Sequence, residues 1–349
     1  MPFWYHTVAT VTVRPAEAPV TMEKERMFNW FVAKIPSLTL AGILTIAPGI
    51  ASAQSSITVV VPFAAGGTSD VGIRAIANTV EEMGGPRIII ENRPGGGGVP
   101  AAVNVRDAAP DGRTLFLANY ATFVVNAISM SNFPFDPTKD FQPITTLFTS
   151  PNMLAVPTSL PVKSVPELVA LAKKKSGGLS FGSQGAGTTG HLLGELIARA
   201  SGAPLVHVPY KGAAQAVIDL VAGRVDMMFT GIIPTKPHLE AGTLRALAVT
   251  SKMRMPEVPD APTMAEAGYP DVNTDFVWFG LAAPAKTPDA TIKNLHARFT
   301  KAMDSKPLQA KLAAQGVFLI SSTPTEFAAR ITADTAKFGP LIKTSGAGK

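Results

Sequence analysis

From residue 57 the chain alternates between short apolar runs rich in β-branched residues and longer stretches with apolar positions at helical spacing. Ile57-Thr58-Val59-Val60-Val61 reads as a buried strand, stopped by Pro62 and a glycine-containing loop. Ile73, Ile76, Ala77 and Val80 then share one helix face, and the helix stops near Gly84-Gly85. A strand over 87–91, a loop over 92–98, a helical stretch to Arg106 and a strand over 114–118 continue the pattern. Strand and helix in alternation predict an α/β sheet.

The next section repeats the theme. Ser164-Val165-Pro166-Glu167 has the form of a capping box, with Ser accepting from a free helix N–H while Glu reaches back. Its helix ends at Gly177-Gly178, and strand-like runs follow over 179–182, 205–208, 226–229 and 245–250. Helices with the stripes Leu192/Leu193/Leu196/Ile197 and Val217/Leu220/Val221 lie between them, and Thr263 with Glu266 forms a second capping box. An aromatic strand is expected over 276–281, then a helix opened by Thr287-Pro288 and carrying Ile292, Leu295, Phe299 and Met303. Thr323 and Glu326 open the last helix by the same device, and 345–349 is expected to fray.

Composition narrows the picture. The 349 residues suggest two domains, or one large one, at roughly 100–200 residues per domain. With 46% hydrophobic and 16% charged residues, a disordered chain is excluded. There is no cysteine, which removes disulfides, thiolate metal sites, a cysteine nucleophile and a lipoprotein anchor. The net charge of +6 is dispersed, and the one tight basic run is Lys173-Lys174-Lys175, so a nucleic-acid partner is not expected. Residues 27–53 have the form of a secretory signal: Lys34, an apolar run from Ile35 to Ile50, and the small-x-small site Ala51-Ser52-Ala53. Cleavage after Ala53 leaves 27 basic against 22 acidic groups. The apolar run is too short and too interrupted by Pro36, Pro48 and Gly49 for a membrane span.

Two loops carry candidate chemistry. Pro62-Phe63-Ala64-Ala65-Gly66-Gly67-Thr68-Ser69-Asp70 and Gly182-Ser183-Gln184-Gly185-Ala186-Gly187-Thr188-Thr189-Gly190-His191 each join a strand to a helix. Free N–H groups at a helix start favour an anion, so two such loops facing one another could clamp a carboxylate or phosphate. Ordinary turn glycines and N-caps give the same pattern in either loop alone. Asp70 suits a helix cap, or a direct or water-bridged ligand contact. Enzyme signatures are incomplete: G-x-S-x-G around Ser183 fails at Phe181, which leaves a Ser183–His191–Asp226 triad without support, and no P-loop or dinucleotide fingerprint occurs. His191 and Glu195 share metal-ligand spacing but have no clustered third ligand, so no metal or redox cofactor is expected.

These segments, with Glu91-Asn92-Arg93-Pro94-Gly95-Gly96-Gly97-Gly98, His207-Val208-Pro209-Tyr210-Lys211-Gly212, Leu220-Val221-Ala222-Gly223-Arg224-Val225-Asp226 and Trp278-Phe279-Gly280-Leu281, resemble the Bug family. These are the periplasmic receptors of tripartite tricarboxylate transporters, and the likeness spans about residues 56–343 in order. The resemblance implies an α/β type II periplasmic-binding-protein fold, with two domains joined by two crossing segments and a ligand cleft between them. The crossings are expected near 153–156 and 276–283, giving domain one as 55–153 plus 280–349 and domain two as 154–279, behind the 1–53 extension. It further implies a monomeric solute receptor, not an enzyme, that delivers a small carboxylate to a membrane permease. The alternatives are a carboxylate sensor or scavenger without a transporter, or a hydrolase using Ser183. The expected ligand contacts are Phe63, Ala64, Gly66, Gly67, Thr68 and Asp70 from one side. Ser183, Gly185, Ala186, Gly187, Thr188, Thr189 and Thr230 are expected from the other. Two departures stand out: Ala65 where many relatives have Pro, and Thr230 where many have an acidic or amide residue that reads the far end of the ligand.

Overall fold

The computed structural model describes residues 56–273 and 277–345. The signal segment 27–53 with its cut after Ala53, and residues 346–349, lie outside the described residues.

The first section builds β1 (Ile57–Val61), α1 (Thr68–Glu82), β2 (Ile88–Asn92), α2 (Val99–Arg106) and β3 (Thr114–Asn119), close to the elements read from the apolar pattern. A π-helical turn over Ala121–Val125 runs into the short α3 (Asn126–Ser129) before β4 (Phe141–Thr149). The second section builds β5 (Met153–Pro157), α4 (Val165–Lys174), β6 (Leu179–Ser183), α5 (Thr189–Ser201), β7 (Leu205–Pro209), α6 (Ala213–Val221), β8 (Met227–Thr230), α7 (Lys236–Glu240) and β9 (Leu244–Val249). The chain then returns as β10 (Phe279–Pro284), α8 (Asp289–Met303), α9 (Lys306–Ala313), β11 (Phe318–Leu319) and α10 (Pro324–Ser345).

Two mixed sheets result. The larger has the order β11-β4-β10-β3-β1-β2, with β1, β2 and β3 parallel and β10 antiparallel to both β3 and β4. The smaller has the order β7-β6-β8-β5-β9, with β6, β7 and β8 parallel and β5 antiparallel to β8 and β9. The chain passes between the sheets through 150–152 and returns between β9 and β10. Residues 153–156, expected to cross, form a wholly buried strand between β8 and β9, where their apolar side chains serve the core. The strand expected over 276–281 starts at Phe279 and runs to Pro284.

Capping follows the sequence unevenly. Thr323 and Glu326 exchange the two bonds of a full box at α10. Ser164 accepts from Glu167 N–H, but Glu167 reaches one residue further back, to Lys163 N–H. Thr263 and Glu266 make both bonds yet close only a turn. Thr287 does not cap α8; its hydroxyl donates to Pro284 O, and Pro288 takes the cap position.

Three apolar clusters fill the spaces between layers. One packs α1, α8 and α9 on the larger sheet, and one packs α6 on the smaller. The third runs from α2 and Phe116 through Trp278 and Phe327 to α4 and α5, so both sheets share it. Its passage past β10 depends on Gly280, where an added Cβ would meet Phe327 ring atoms at 2.5 Å and Thr145 O at 2.8 Å. Gly280→Ala is expected to lower stability by about 1–3 kcal/mol through overpacking. Urea unfolding checks this, and an unchanged midpoint would count against so tight a contact.

Candidate functional site

The loop between β1 and α1 and the loop between β6 and α5 come together over a pocket floored by Val277, Trp278 and Phe279. Phe63, Ala64, Gly67 and Thr68 line it from the larger sheet, and Thr188, Thr189 and Thr230 from the smaller. The helical ladder begins only with Val71 N–H to Gly67 O in α1 and Leu192 N–H to Thr188 O in α5. The amides of Thr68, Ser69 and Thr189 therefore have no helical acceptor, which gives the pocket two helix N-termini. The Thr68 and Thr189 hydroxyls have no hydrogen-bond partner among the described residues. Thr230 is fully buried, and its Oγ1 is likewise unpartnered.

Six expected contacts do not line this pocket: Gly66, Asp70, Ser183, Gly185, Ala186 and Gly187. Asp70 is buried and turned into its own loop. Its carboxylate accepts from Gly66 N–H (3.0 Å), Arg74 Nε (3.0 Å) and Asn92 Nδ2 (2.9 Å). Asn92 also donates to Phe63 O and accepts from Arg74 Nη2. Burial opposes the charge on Asp70, but Arg74, the Gly66 amide and Asn92 together outweigh it and hold the carboxyl below its ordinary range. The residue thus braces both ends of the loop that presents Phe63 to Ser69.

Ser183 braces the opposite loop. Its Oγ accepts from Gly185 N–H (3.1 Å) and lies 2.9 Å from Gly185 O and 2.6 Å from His207 Nε2. The His207 ring stacks on His191 at 3.7 Å, and His191 Nδ1 accepts from Gly187 N–H. That bond leaves Nε2–H of a neutral His191 facing Glu195, 3.5 Å away. Asp226 is engaged elsewhere, with Ser180 and Lys175, so the Ser183–His191–Asp226 arrangement is not assembled. Gly185 and Ala186 line a neighbouring opening beside Gly95 to Gly98 and Lys211. Gly187, at φ +72°, lies against Asn126, where a Cβ has no room. Among the described residues no group of three His, Asp or Glu gathers as a metal site.

Sequence reasoning missed Ser69, Asn119, Tyr120, Ala121, Ser150, Asn152, Gln184, Ala213 and Gly231, which also line the pocket. Ser69 and Gln184 lay inside the motifs already singled out. The aromatic strand signal found Trp278 and Phe279 without revealing that they floor the pocket. Trp278 is held from behind by Asp334 of α10, which accepts its indole N–H at 2.8 Å. Burial raises the Asp334 carboxyl against the opposing pull of Trp278 and Arg330.

Asp70→Asn is expected to cost about 1–3 kcal/mol of stability, the usual range for a bond to a charged group. Because the folded carboxyl titrates low, its contribution persists above about pH 4 and is lost as pH falls through the folded value. A variant as stable as the parent at pH 7 would sink the bracing role. For His207, burial and then the neighbouring His191 pull the ring down to about 4. Between about pH 6.5 and 4 the unfolded chain binds the proton first, so stability should fall as pH is lowered through that window. His207→Phe keeps a stacked ring and should flatten the slope, as read from melting temperatures across the window. An equal slope in both proteins contradicts the assignment.

Residues 73–347 match the family described as "Tripartite tricarboxylate transporter family receptor". The Bordetella pertussis protein BugT is 32% identical over 321 residues, covering 89% of this chain and 97% of BugT. An R. palustris protein solved with adipate aligns at 35% identity and TM-score 0.79, covering 83% of this chain and 97% of that one. MatC from Rhodopseudomonas palustris with bound malate aligns at 31% and 0.77, covering 82% and 98%. The two mixed α/β sheets are those of the type II periplasmic-binding-protein fold that the sequence resemblance implied. With the match spanning most of its length, the chain belongs to the tripartite tricarboxylate transporter receptors, the Bug family of periplasmic binding proteins.

Proposed function

We propose that this protein works in the periplasm as a monomeric receptor that captures a small carboxylate and delivers it to the membrane permease of a tripartite tricarboxylate transporter. The observation that carries the reading is the pair of helix N-termini, one from each sheet, opening into a single pocket. The adipate and malate bound to two similar proteins support a carboxylate. Phe63, Ala64, Gly67, Thr68, Thr188, Thr189 and Thr230 are the proposed contacts. Gly66, Asp70, Ser183, Gly185, Ala186 and Gly187 act by holding the two loops in shape. Export by the 27–53 segment, with removal through Ala53, brings the receptor to its compartment.

Capture works by closure of the half built on the larger sheet upon the half built on the smaller. A ligand held by both loops binds the closed form better, and only that difference shifts the equilibrium. Micromolar binding corresponds to about −8 kcal/mol, more than the roughly 5.5 kcal/mol needed to turn a 99:1 preference round. The permease then distinguishes loaded from empty receptor by shape. Cross-cleft contacts support closure: Ala64 N–H donates to Lys211 O at 3.3 Å, and beside it Gly212 leaves no room for a methyl. A Cβ there would lie 2.8 Å from Ala64 Cβ and 3.2 Å from Ala64 N, although the extended Gly212 backbone itself suits any residue.

Calorimetry across carboxylates and sugars tests the ligand class, and sugar binding without carboxylate binding refutes it. Small-angle scattering should show a smaller radius of gyration with saturating ligand. Gly212→Ala should weaken affinity roughly 5- to 150-fold, the equivalent of about 1–3 kcal/mol of overpacking, while the ligand-free melting temperature stays near the parent's. Unchanged scattering and unchanged affinity would together mean that the halves do not close.

A further inference from the structure

No tight basic run marks residues 286–311, yet they carry most of the protein's excess charge. They hold six of the 27 basic groups of the chain from Gln54 and two of its 22 acidic ones. The rest of that chain is nearly neutral, 21 basic against 20 acidic. Lys286, Lys293, Arg298, Lys301, Lys306 and Lys311 lie just before α8, on α8 and on α9, and all six are exposed. Ile292, Leu295 and Phe299 of α8 and Leu308 and Leu312 of α9 enter one core cluster. The opposite, cationic sides of the two helices therefore face away from the same layer. Among the described residues none of the six makes an ion pair; Arg298 donates to Asn294 and Lys306 to Gln309, both neutral. The two acids stand at the ends of α8, Asp289 in its first turn and Asp304 at its C-cap. Arg113 extends the face, sharing a groove with Arg298 beside Ile57, at the end of β1 remote from the pocket.

We propose that the α8–α9 face docks this protein on an anionic bilayer surface. Its composition favours lipid over a protein partner. Five of the six cations are Lys, and neither helix bears any of the large exposed apolar side chains found among the described residues. Protein interfaces enrich aromatic residues, Met and Arg, deplete Lys, and concentrate their binding energy in a few desolvated anchors. A charged bilayer needs no such anchor, because its diffuse negative potential attracts each Lys or Arg held near it. No residue of α8 or α9 lines the pocket, so docking draws on none of the side chains that would meet the ligand. Held at the surface, the protein meets a membrane partner at a higher effective concentration than it does free in solution.

The test is co-sedimentation with vesicles, using the chain from Gln54, which keeps every described element and lacks the apolar run 35–50. Vesicles of equimolar phosphatidylglycerol and phosphatidylcholine should bind it at about 20 mM salt and release it at about 500 mM, where screening is strong. Vesicles of phosphatidylcholine alone should not bind it. Lys293→Gln with Lys301→Gln should weaken binding about 25-fold, about 5-fold for each Lys. Lys173→Gln with Lys174→Gln removes the same charge from exposed positions of α4 and should weaken it by less than about 2-fold. Both pairs of substitutions lie at the surface and outside the pocket, so melting temperatures and carboxylate affinity should match the parent's. Absence of binding to the phosphatidylglycerol vesicles at low salt overturns the proposal, and leaves the carboxylate reading standing. Equal losses in the two variants overturn it as well, since net charge and not this face would then govern binding. Binding to poly-glutamate without binding to the vesicles overturns it in favour of an acidic protein.

Discussion

Everything at the pocket depends on bringing two helix N-termini, rooted in different sheets, close enough to serve one small molecule. Backbone amides act at short range, so an anion site built from them tolerates little slack. The chain meets the constraint by removing side chains where the halves touch. Gly212 lies beneath Ala64, Gly231 faces the Thr68 hydroxyl, and Gly97 and Gly187 sit around Asn126 and Ala186. A methyl at any of these positions would collide across the cleft.

The two loops are rigid for unlike reasons. On one side a carboxylate, a guanidinium and an amide surround the backbone of the first loop, with Asp70 at the centre of the network. On the other side Ser183 and two stacked imidazoles tie the 183–191 segment to β7. Both devices stand behind the pocket lining. They keep charged groups out of the ligand's immediate surroundings while fixing the amides that would meet it.

The fold was largely legible because its parallel strands are near-continuous apolar runs and its helices carry clean stripes. β4 escaped because Pro143 and a Thr pair interrupt its pattern, and proline ordinarily argues against a strand. The 153–156 run was read as a connection because nothing local distinguishes a four-residue apolar crossing from an interior strand. The loops at 62–70 and 182–191 were visible as glycines and hydroxyls at a strand end. Within them the division between lining and bracing residues was not, since Asp70 and Ser183 look like ligand contacts until their partners, Asn92 and His207, are known. Ser150 and Asn152 come from the crossing and Asn119 from the end of β3, so tertiary structure alone recruits them.

Trp278 is one of three tryptophans in the sequence, and the other two, Trp4 and Trp30, precede Ala53. In a chain cut after Ala53 a single indole remains, set in the pocket floor with its N–H on a half-buried carboxylate and Phe327 packed edge-on at 4.9 Å. Intrinsic fluorescence of the mature chain then comes from the pocket floor with no competing tryptophan. Occupancy could be followed optically without a label, and α10, through Asp334, would tune the emission from the far side of the ring.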